Sequence, residues 1–487
     1  MKHSWKHFPP LLTAGLLAAG SMLSSTAFGQ TAPVVPRVAQ EDLQDFRALP
    51  PSEAADELAN EPNRYLQTEL ADRAGIKTFG WLEAGIGGNN WGTPFNGTIT
   101  FNDRNWQAMM NQLYLVNERV LDTEDGGWDI GGRIDLLYGT DYTYTTAAGL
   151  DAYNYGNYNA YFVPRWNSSK YYGLAMPQLY GEVGRDDLSV KFGHFYTIIG
   201  YEVVPAVGNF FYTICDTFQY GEPFTHTGML ATWKPDAQLT TYAGIVNGWD
   251  NWSSGTPGYT TNNSYNYFNN NAGFLGGITM KDVDEKQALT FTTYSGNMLN
   301  PTQYVPSNQA VSGNRSYIST VYTNELTDKV TYVFQNDNGW QFGLPNYAPG
   351  GSNVYTPVQG QQNGLAQWYG LVNYLFYKFN DTTTGGVRLE YFRDNNGFRV
   401  YNPLRNLNYP PNFGPAQGGY QGNFWEVTFG VNYRPSKNWV FRPELRYDWY
   451  SPDKMGGNLP YGGQIGRGGN GTEYGQFYGG GDFIYQF

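Results

Sequence analysis

The sequence predicts an all-β chain: a sixteen-stranded antiparallel β-barrel that crosses a membrane, with short turns at one end and long loops at the other. Three observations carry that reading. Strand-like runs alternate apolar and polar residues, as a wall with one greasy and one wet face requires. The connections between them alternate in length, seven short turns against eight long loops, so both ends of the barrel sequence fall on the short-turn side. And the chain finishes on Phe483, Tyr485 and Phe487, interleaved with Asp482, Ile484 and Gln486. An aromatic final strand suits an interfacial girdle at a membrane surface.

The elements follow in order. Lys2 and Lys6 precede the apolar stretch Leu11–Leu23, and Ala27-Phe28-Gly29 is a small-x-small cleavage site. Residues 1–29 therefore read as a signal peptide. A retained anchor is the alternative, but the stretch falls short of the roughly 20 residues that span a bilayer. Residues 30–77 read as a periplasmic leader: Pro33 and Pro36, then Glu41, Asp42 and Asp45, a break at Pro50-Pro51, and a helical stretch beyond. A plug inside the barrel is the alternative for this segment.

Residues 78–487 form the expected barrel. Tight turns are predicted at Asp122–Gly127, Arg185–Asp187, Lys234–Ala237, Asp282–Glu285, Thr327–Lys329, Asn380–Thr383 and Pro435–Asn438, from their Gly, Pro, Asn and Asp chemistry. Strands are expected near 79–86, 109–121, 128–138, 177–184, 188–195, 225–233, 238–249, 272–281, 286–296, 316–326, 330–337, 366–379, 384–393, 424–434, 439–450 and 476–487. In the third strand Trp128, Ile130, Ile134, Leu136 and Tyr138 oppose Asp129, Arg133 and Asp135. In the thirteenth, Val387, Leu389 and Tyr391 oppose Arg388 and Glu390. In the fourteenth, Trp425, Val427, Phe429, Val431 and Tyr433 oppose Glu426, Thr428 and Asn432; in the fifteenth, Trp439, Phe441, Leu445, Tyr447 and Trp449 oppose Arg442, Glu444, Arg446 and Asp448. The second strand is ambiguous, because Leu113 and Leu115 contest the outer face with Tyr114 and Val116. A sandwich also alternates, but its long loops do not fall on one side; a propeller would repeat a motif every 40–50 residues or so.

Composition agrees. Aromatics make up 17% and charged residues 15%, with 41 Tyr and 61 Gly, a profile of strands, turns and wet loops. Mean hydropathy is -0.51, which a barrel tolerates because its two faces average out. The formal charge of -12 disfavours nucleic acid as a partner. Cys215 stands alone, so neither an intrachain disulfide nor a cysteine metal cluster is available.

The charged face would line the lumen, and a barrel of about sixteen strands leaves an aqueous channel. The candidate lining residues are Asp129, Arg133, Asp135, Arg388, Glu390, Arg442, Glu444, Arg446 and Asp448, a mixed-sign wall that orients permeating solutes. The bland alternative is a set of solvated ion pairs. The connection from Tyr196 to Pro223 is far more apolar than the others, with Ile198, Ile199, Val203, Val204, Val207, Phe210, Phe211, Ile214 and Phe218. It has to pack against something. Folded into the lumen, it brings Glu202, Asp216 and Glu222 opposite the arginines; the alternatives are a neighbouring subunit or a cap on the barrel. His194 and His226 flank this loop and, without a carboxylate or cysteine cluster, make a poor zinc site. Gly466–Gly471 lacks the strand–helix context of a phosphate cradle. No Gly-x-Ser-x-Gly elbow or paired catalytic carboxylates stand out, which argues against a barrel lipase or protease.

At five motifs the chain resembles the OmpL-like porins, the second β-barrel porin family: Asn111–Arg119, Gly132–Asp141, Gly193–Glu202, Tyr220–Gly228 and Val387–Asp394. The resemblance runs from about Phe79 to the end and implies an outer-membrane location and a porin role, with no catalytic residues to carry over. In general porins the corresponding external loop narrows the barrel, and such barrels trimerise; both are expectations here by analogy. The expected function is a passive diffusion channel for small hydrophilic solutes or ions, mildly cation-preferring and without a cofactor. A plugged barrel serving as adhesin or scaffold is the alternative. Expected partners are outer-membrane lipid, the permeating solute and, through the last strand, the barrel-assembly machinery.

Overall fold

The computed structural model describes residues 66–123, 126–147, 150–154, 162–164, 171–252, 272–299, 312–344, 364–400, 420–453, 459–462 and 471–487. The expected signal peptide, most of the expected leader and all but the last residue of Gly466–Gly471 lie outside them. A short helix, α1 (Glu69–Arg73), capped by the Thr68 hydroxyl on Ala71 N, leads into β1 (Lys77–Asn89). Then follow β2 (Met109–Arg119), β3 (Trp128–Gly139), a turn of helix α2 (Tyr142–Thr145), and a small hairpin of β4 (Ala152–Asn154) and β5 (Phe162–Pro164). The remaining strands are β6 (Gly173–Arg185), β7 (Leu188–Tyr196), β8 (Thr225–Trp233), β9 (Leu239–Val246), β10 (Gly273–Lys281), β11 (Gln287–Leu299) and β12 (Ser312–Thr327). They continue with β13 (Val330–Leu344), β14 (Gly364–Asn380), β15 (Thr383–Asp394), β16 (Gly422–Ser436), β17 (Trp439–Pro452) and β18 (Gly475–Gln486).

All but β4 and β5 pair antiparallel with their neighbours in one closed barrel, and β18 returns to β1. Closure leaves no sheet edge, which is what a strand fold in lipid needs. Phe487 completes the seam, exchanging backbone hydrogen bonds with Gly80 at 2.8 Å each way. Sixteen strands, seven tight turns and eight long connections match the sequence expectation. The two-residue turn between β6 and β7 holds Asp186 at φ 52°, a left-handed position that Asp tolerates in such a hairpin. Among the described residues, no helix is long and apolar enough to cross a membrane.

The face assignments hold where alternation is clean. Trp128 is 71% exposed and Leu445 67%, both on the outer wall, whereas Arg388 between Val387 and Leu389 is fully enclosed. The ambiguous β2 resolves with Leu113 outward and Tyr114 and Val116 inward. A register shift at Glu83/Ala84 of β1 sets that phase, and Tyr114 stacks on Trp81 with ring centroids 4.0 Å apart. In β14 the alternation is hidden, because both faces are apolar: Trp368, Val372, Tyr374 and Phe376 are buried inside, while Leu375, Tyr377 and Phe379 are exposed outside.

The interior explains that exception. Two buried hydrophobic clusters occupy the lumen; the segment between β7 and β8 supplies much of the first and adds Ile198, Ile199 and Tyr220 to the second. The connection from β1 to β2, expected as an exposed loop, also turns inward: Asn96, Thr98, Ile99, Phe101 and Asn102 are buried. Thr100 donates to Gln219 Oε1 through N and Oγ1, and Phe101 lies 6.2 Å from the Phe218 ring.

Candidate functional site

The site is the lumen, built from the 197–224 connection and the inner faces of β1 and β14–β18. The connection carries one 3-10 turn (Ala206–Gly208) and one wide helical turn (Thr217–Gly221), with irregular backbone between them. Irregular backbone closes few hydrogen bonds with itself, so most of its buried N–H and C=O groups must find partners elsewhere. The wall supplies them. Glu444 on β17 accepts from Tyr212 N (2.9 Å) and Thr213 N (3.0 Å). Glu390 on β15 accepts from Asp216 N (2.7 Å) and from both N and Oγ1 of Thr217. Gln112 on β2 accepts from Ala206 N (3.0 Å) and donates to Val204 O (2.7 Å).

Three arginines hold the carbonyls. Arg442 Nη1 donates to Ala206 O (2.8 Å) and Asn209 O (2.7 Å), Arg388 Nη1 to Thr213 O (2.7 Å), and Arg446 Nη1 to Ile214 O (2.7 Å). Each guanidinium is also paired with carboxylates. Arg442 meets Asp482 and Glu83; Arg388 meets Glu426 (2.9 Å) and Glu202 of the loop (2.6 Å); Arg446 meets Asp448 (2.7 Å), Glu426 (3.3 Å) and, at 3.6 Å, Asp216 of the loop. Glu202 additionally accepts from Cys215 N at 2.8 Å. Aromatic packing completes the joint: Phe210 contacts Phe376 (4.7 Å), and Arg388 lies over the Phe211 ring (4.9 Å). At its root the loop is tied by Asp250, which accepts from Phe224 N (2.8 Å) and Thr225 N (2.9 Å) and whose carboxyl burial pushes up to about 6.

The structure thus brings Arg388, Glu390, Arg442, Glu444, Arg446 and Asp448 together with Glu202 and Asp216, in direct contact rather than across open water. All eight are buried. It separates the others. Arg133 and Asp135 form their own knot with Glu118, Tyr114 and Gln178. Asp129 takes a bidentate pair from Arg119 (3.0 and 2.8 Å) near the short-turn end of β3. Glu222, expected opposite the arginines, meets Gln335 and Asp337 on β13 instead. The reason is reach: the wide turn at Thr217–Gly221 brings the chain against β14, where Trp368 Nε1 donates to Gly221 O (3.1 Å), and Glu222 then falls beside β13. Sequence reasoning missed Glu83, Gln112, Glu426 and Asp482 as loop or arginine partners. Alternation marks Glu426 and Asp482 as inward, but not what they meet; Gln112 lies in the ambiguous second strand, and Glu83 shares its face with Trp81.

His194 and His226 are neighbours on β7 and β8, and each is engaged by a threonine: His194 Nδ1 with Thr227 Oγ1 (2.8 Å), His226 Nε2 with Thr197 Oγ1 (3.1 Å). Among the described residues no three His, Cys, Asp or Glu side chains gather to hold a metal.

Solved structures repeat this architecture at very low sequence identity. An anion-selective porin from Comamonas acidovorans superposes with a TM-score of 0.52 at 9% identity, over 85% of this chain and 99% of that one. The outer membrane channel DcaP of Acinetobacter baumannii superposes with a TM-score of 0.50 at 11% identity, over 87% and 100%. Such likeness establishes the fold alone. Among curated proteins, none matches the sequence. A family model does, over residues 75–487, the same span that carries the barrel. The chain is an outer-membrane β-barrel and belongs to the family described as "Putative beta-barrel porin-2, OmpL-like".

Proposed function

We propose that the barrel is a passive channel for small hydrophilic solutes or ions, with the 197–224 loop setting its narrowest section. The observation that carries this reading is the charged inner wall gripping that loop through backbone hydrogen bonds. Solute would move down its gradient, without cofactor or chemical step. The charge around the loop is lopsided. Arg388, Arg442 and Arg446 face Glu83, Glu202, Asp216, Glu390, Glu426, Glu444, Asp448 and Asp482. That excess of carboxyls supports a mild cation preference. A homotrimer embedded in outer-membrane lipid, delivered by the assembly machinery through β18, fits the same reading.

One observation favours a second reading. The ladder side chains are enclosed, so in this conformation the loop fills the section that it occupies. A barrel fixed in this state is a closed scaffold for surface recognition. Planar-bilayer recording separates the two. The channel reading expects discrete steps from the wild-type protein and larger steps from a Gly200–Gly221 deletion. A silent wild type beside a conducting deletion makes the loop a plug, and equal steps from both remove it from the pore.

A further inference from the structure

Where the loop rejoins the wall, two carboxyls meet without a counter-charge. Glu222 and Asp337 are each 1% exposed and stand within hydrogen-bond reach of one another. Gln335 Nε2 donates to Glu222 Oε1 (2.6 Å) and to Asp337 Oδ2 (2.8 Å), and Tyr317 Oη also donates to Asp337 Oδ2 (2.8 Å). The other oxygens, Glu222 Oε2 and Asp337 Oδ1, are buried with no donor. Ser319, the cross-strand partner of Asp337 on β12, is fully buried and sets its hydroxyl beside that carboxyl, with no other partner for its Oγ among the described residues. Gly200, at φ 85°, lies against Glu222 where any side chain would collide with the carboxylate.

Among the described residues, neither carboxyl has an ion pair. The guanidiniums on this side of the lumen are engaged elsewhere: Arg399 Nε donates to Tyr220 O and its plane lies over Trp368 (5.1 Å), while Arg315 Nε donates to Gln341 Oε1 (2.8 Å) and lies over Trp249 (4.7 Å). Burying adjacent like charges without compensation is strongly unfavourable. A shared proton would neutralise one carboxylate and leave the other as a buried negative charge without a cation beside it. A divalent cation neutralises both and takes all three free oxygens. Carboxylate and hydroxyl oxygens are the donors that hard cations choose, and thiolate or imidazole is not needed.

We propose that Glu222, Asp337 and Ser319 form a site for a hard divalent cation of the Ca2+ class, which fastens the end of the loop to β12 and β13. The site stands whether or not the lumen conducts. Its test uses the full chain refolded into detergent, stripped with EDTA and titrated with Tb3+, with Tyr317 and Trp368 as nearby antennae. The wild type should give saturable Tb3+ emission that Ca2+ displaces. Asp337→Asn and Glu222→Gln should lose the displaceable component, and Ser319→Ala, which removes a single neutral ligand, should weaken it roughly tenfold. Circular dichroism verifies each barrel; if a carboxyl variant fails to fold, Ser319→Ala decides. A second readout follows the loop itself: EDTA should accelerate maleimide labelling of buried Cys215 in the wild type and not in Asp337→Asn. Displaceable emission unchanged in Ser319→Ala and Asp337→Asn overturns the proposal. So does a wild type without displaceable emission that instead titrates one proton at this pair. Bilayer silence would sink the channel reading and leave this one standing.

Discussion

Arg388 shows what a single side chain carries in this lumen. It is fully enclosed, pairs with Glu202 and Glu426, and donates to Thr213 O. Its inward position was legible from the alternation of Val387, Leu389 and Tyr391. Its partners were not, because Glu202 and Thr213 lie far away in sequence, and nothing in a local pattern says which loop residue reaches which rung. Truncating one member of a buried ion network leaves uncompensated charge and typically costs about 3–5 kcal/mol. Arg388→Met should therefore lower the unfolding free energy of the lipid-embedded barrel, read by urea titration, by that order, and adding Glu426→Gln should return part of the loss. An unfolding free energy within about 0.5 kcal/mol of wild type would mean that the network contributes no net stability. Gly200 and Glu222 illustrate the opposite case. Nothing in the local sequence announces that a left-handed glycine makes room for a carboxylate 22 positions later.

At the scale of elements, the loop between β7 and β8 was the clearest irregular segment in the sequence, because its density of Ile, Val and Phe has no use in water. Buried side chains of that size contribute about 1.5–3 kcal/mol each, which explains why the loop enters the barrel rather than hanging outside. The inward fold of the β1–β2 connection was not legible: Asn96 and Asn102 look like solvent-facing loop residues, and their hydrogen bonds to buried neighbours help to bring them in. The root of the loop carries a pH dependence. Asp250 is raised to about 6 by burial, so closure gains from protonation: its stabilising contribution is full below about pH 4 and fades as pH rises through 6. The ratio of Cys215 labelling in wild type to that in Asp250→Asn should accordingly rise from pH 4 to pH 7. A flat ratio would disconnect Asp250 from loop opening. Asn retains an oxygen for Phe224 N and Thr225 N, so the variant removes the titration and not the tie.

For the whole molecule, the strand count, the pairing order and the short-turn and long-loop ends all followed from alternation and turn chemistry. These are local rules that a closed antiparallel barrel applies sixteen times. What the interior holds is set by long-range packing, and there the expectation of a water-lined wall gave way to a packed one around the loop. The collective charge is testable at this scale. With the carboxyl excess around Arg388, Arg442 and Arg446, a salt gradient across a bilayer should give a reversal potential of cation-selective sign that falls as pH is lowered. An anion-selective sign would assign permeation to surfaces other than this ladder.

The ladder that grips the loop belongs mainly to β15–β18, far along the chain from β7 and β8. Without those hairpins, Phe210 and Phe211 lose the wall on which they pack, and the backbone from Tyr212 to Thr217 loses most of its clasps. Docking of this one segment therefore requires the closing strands, and it reports that the cylinder has been completed.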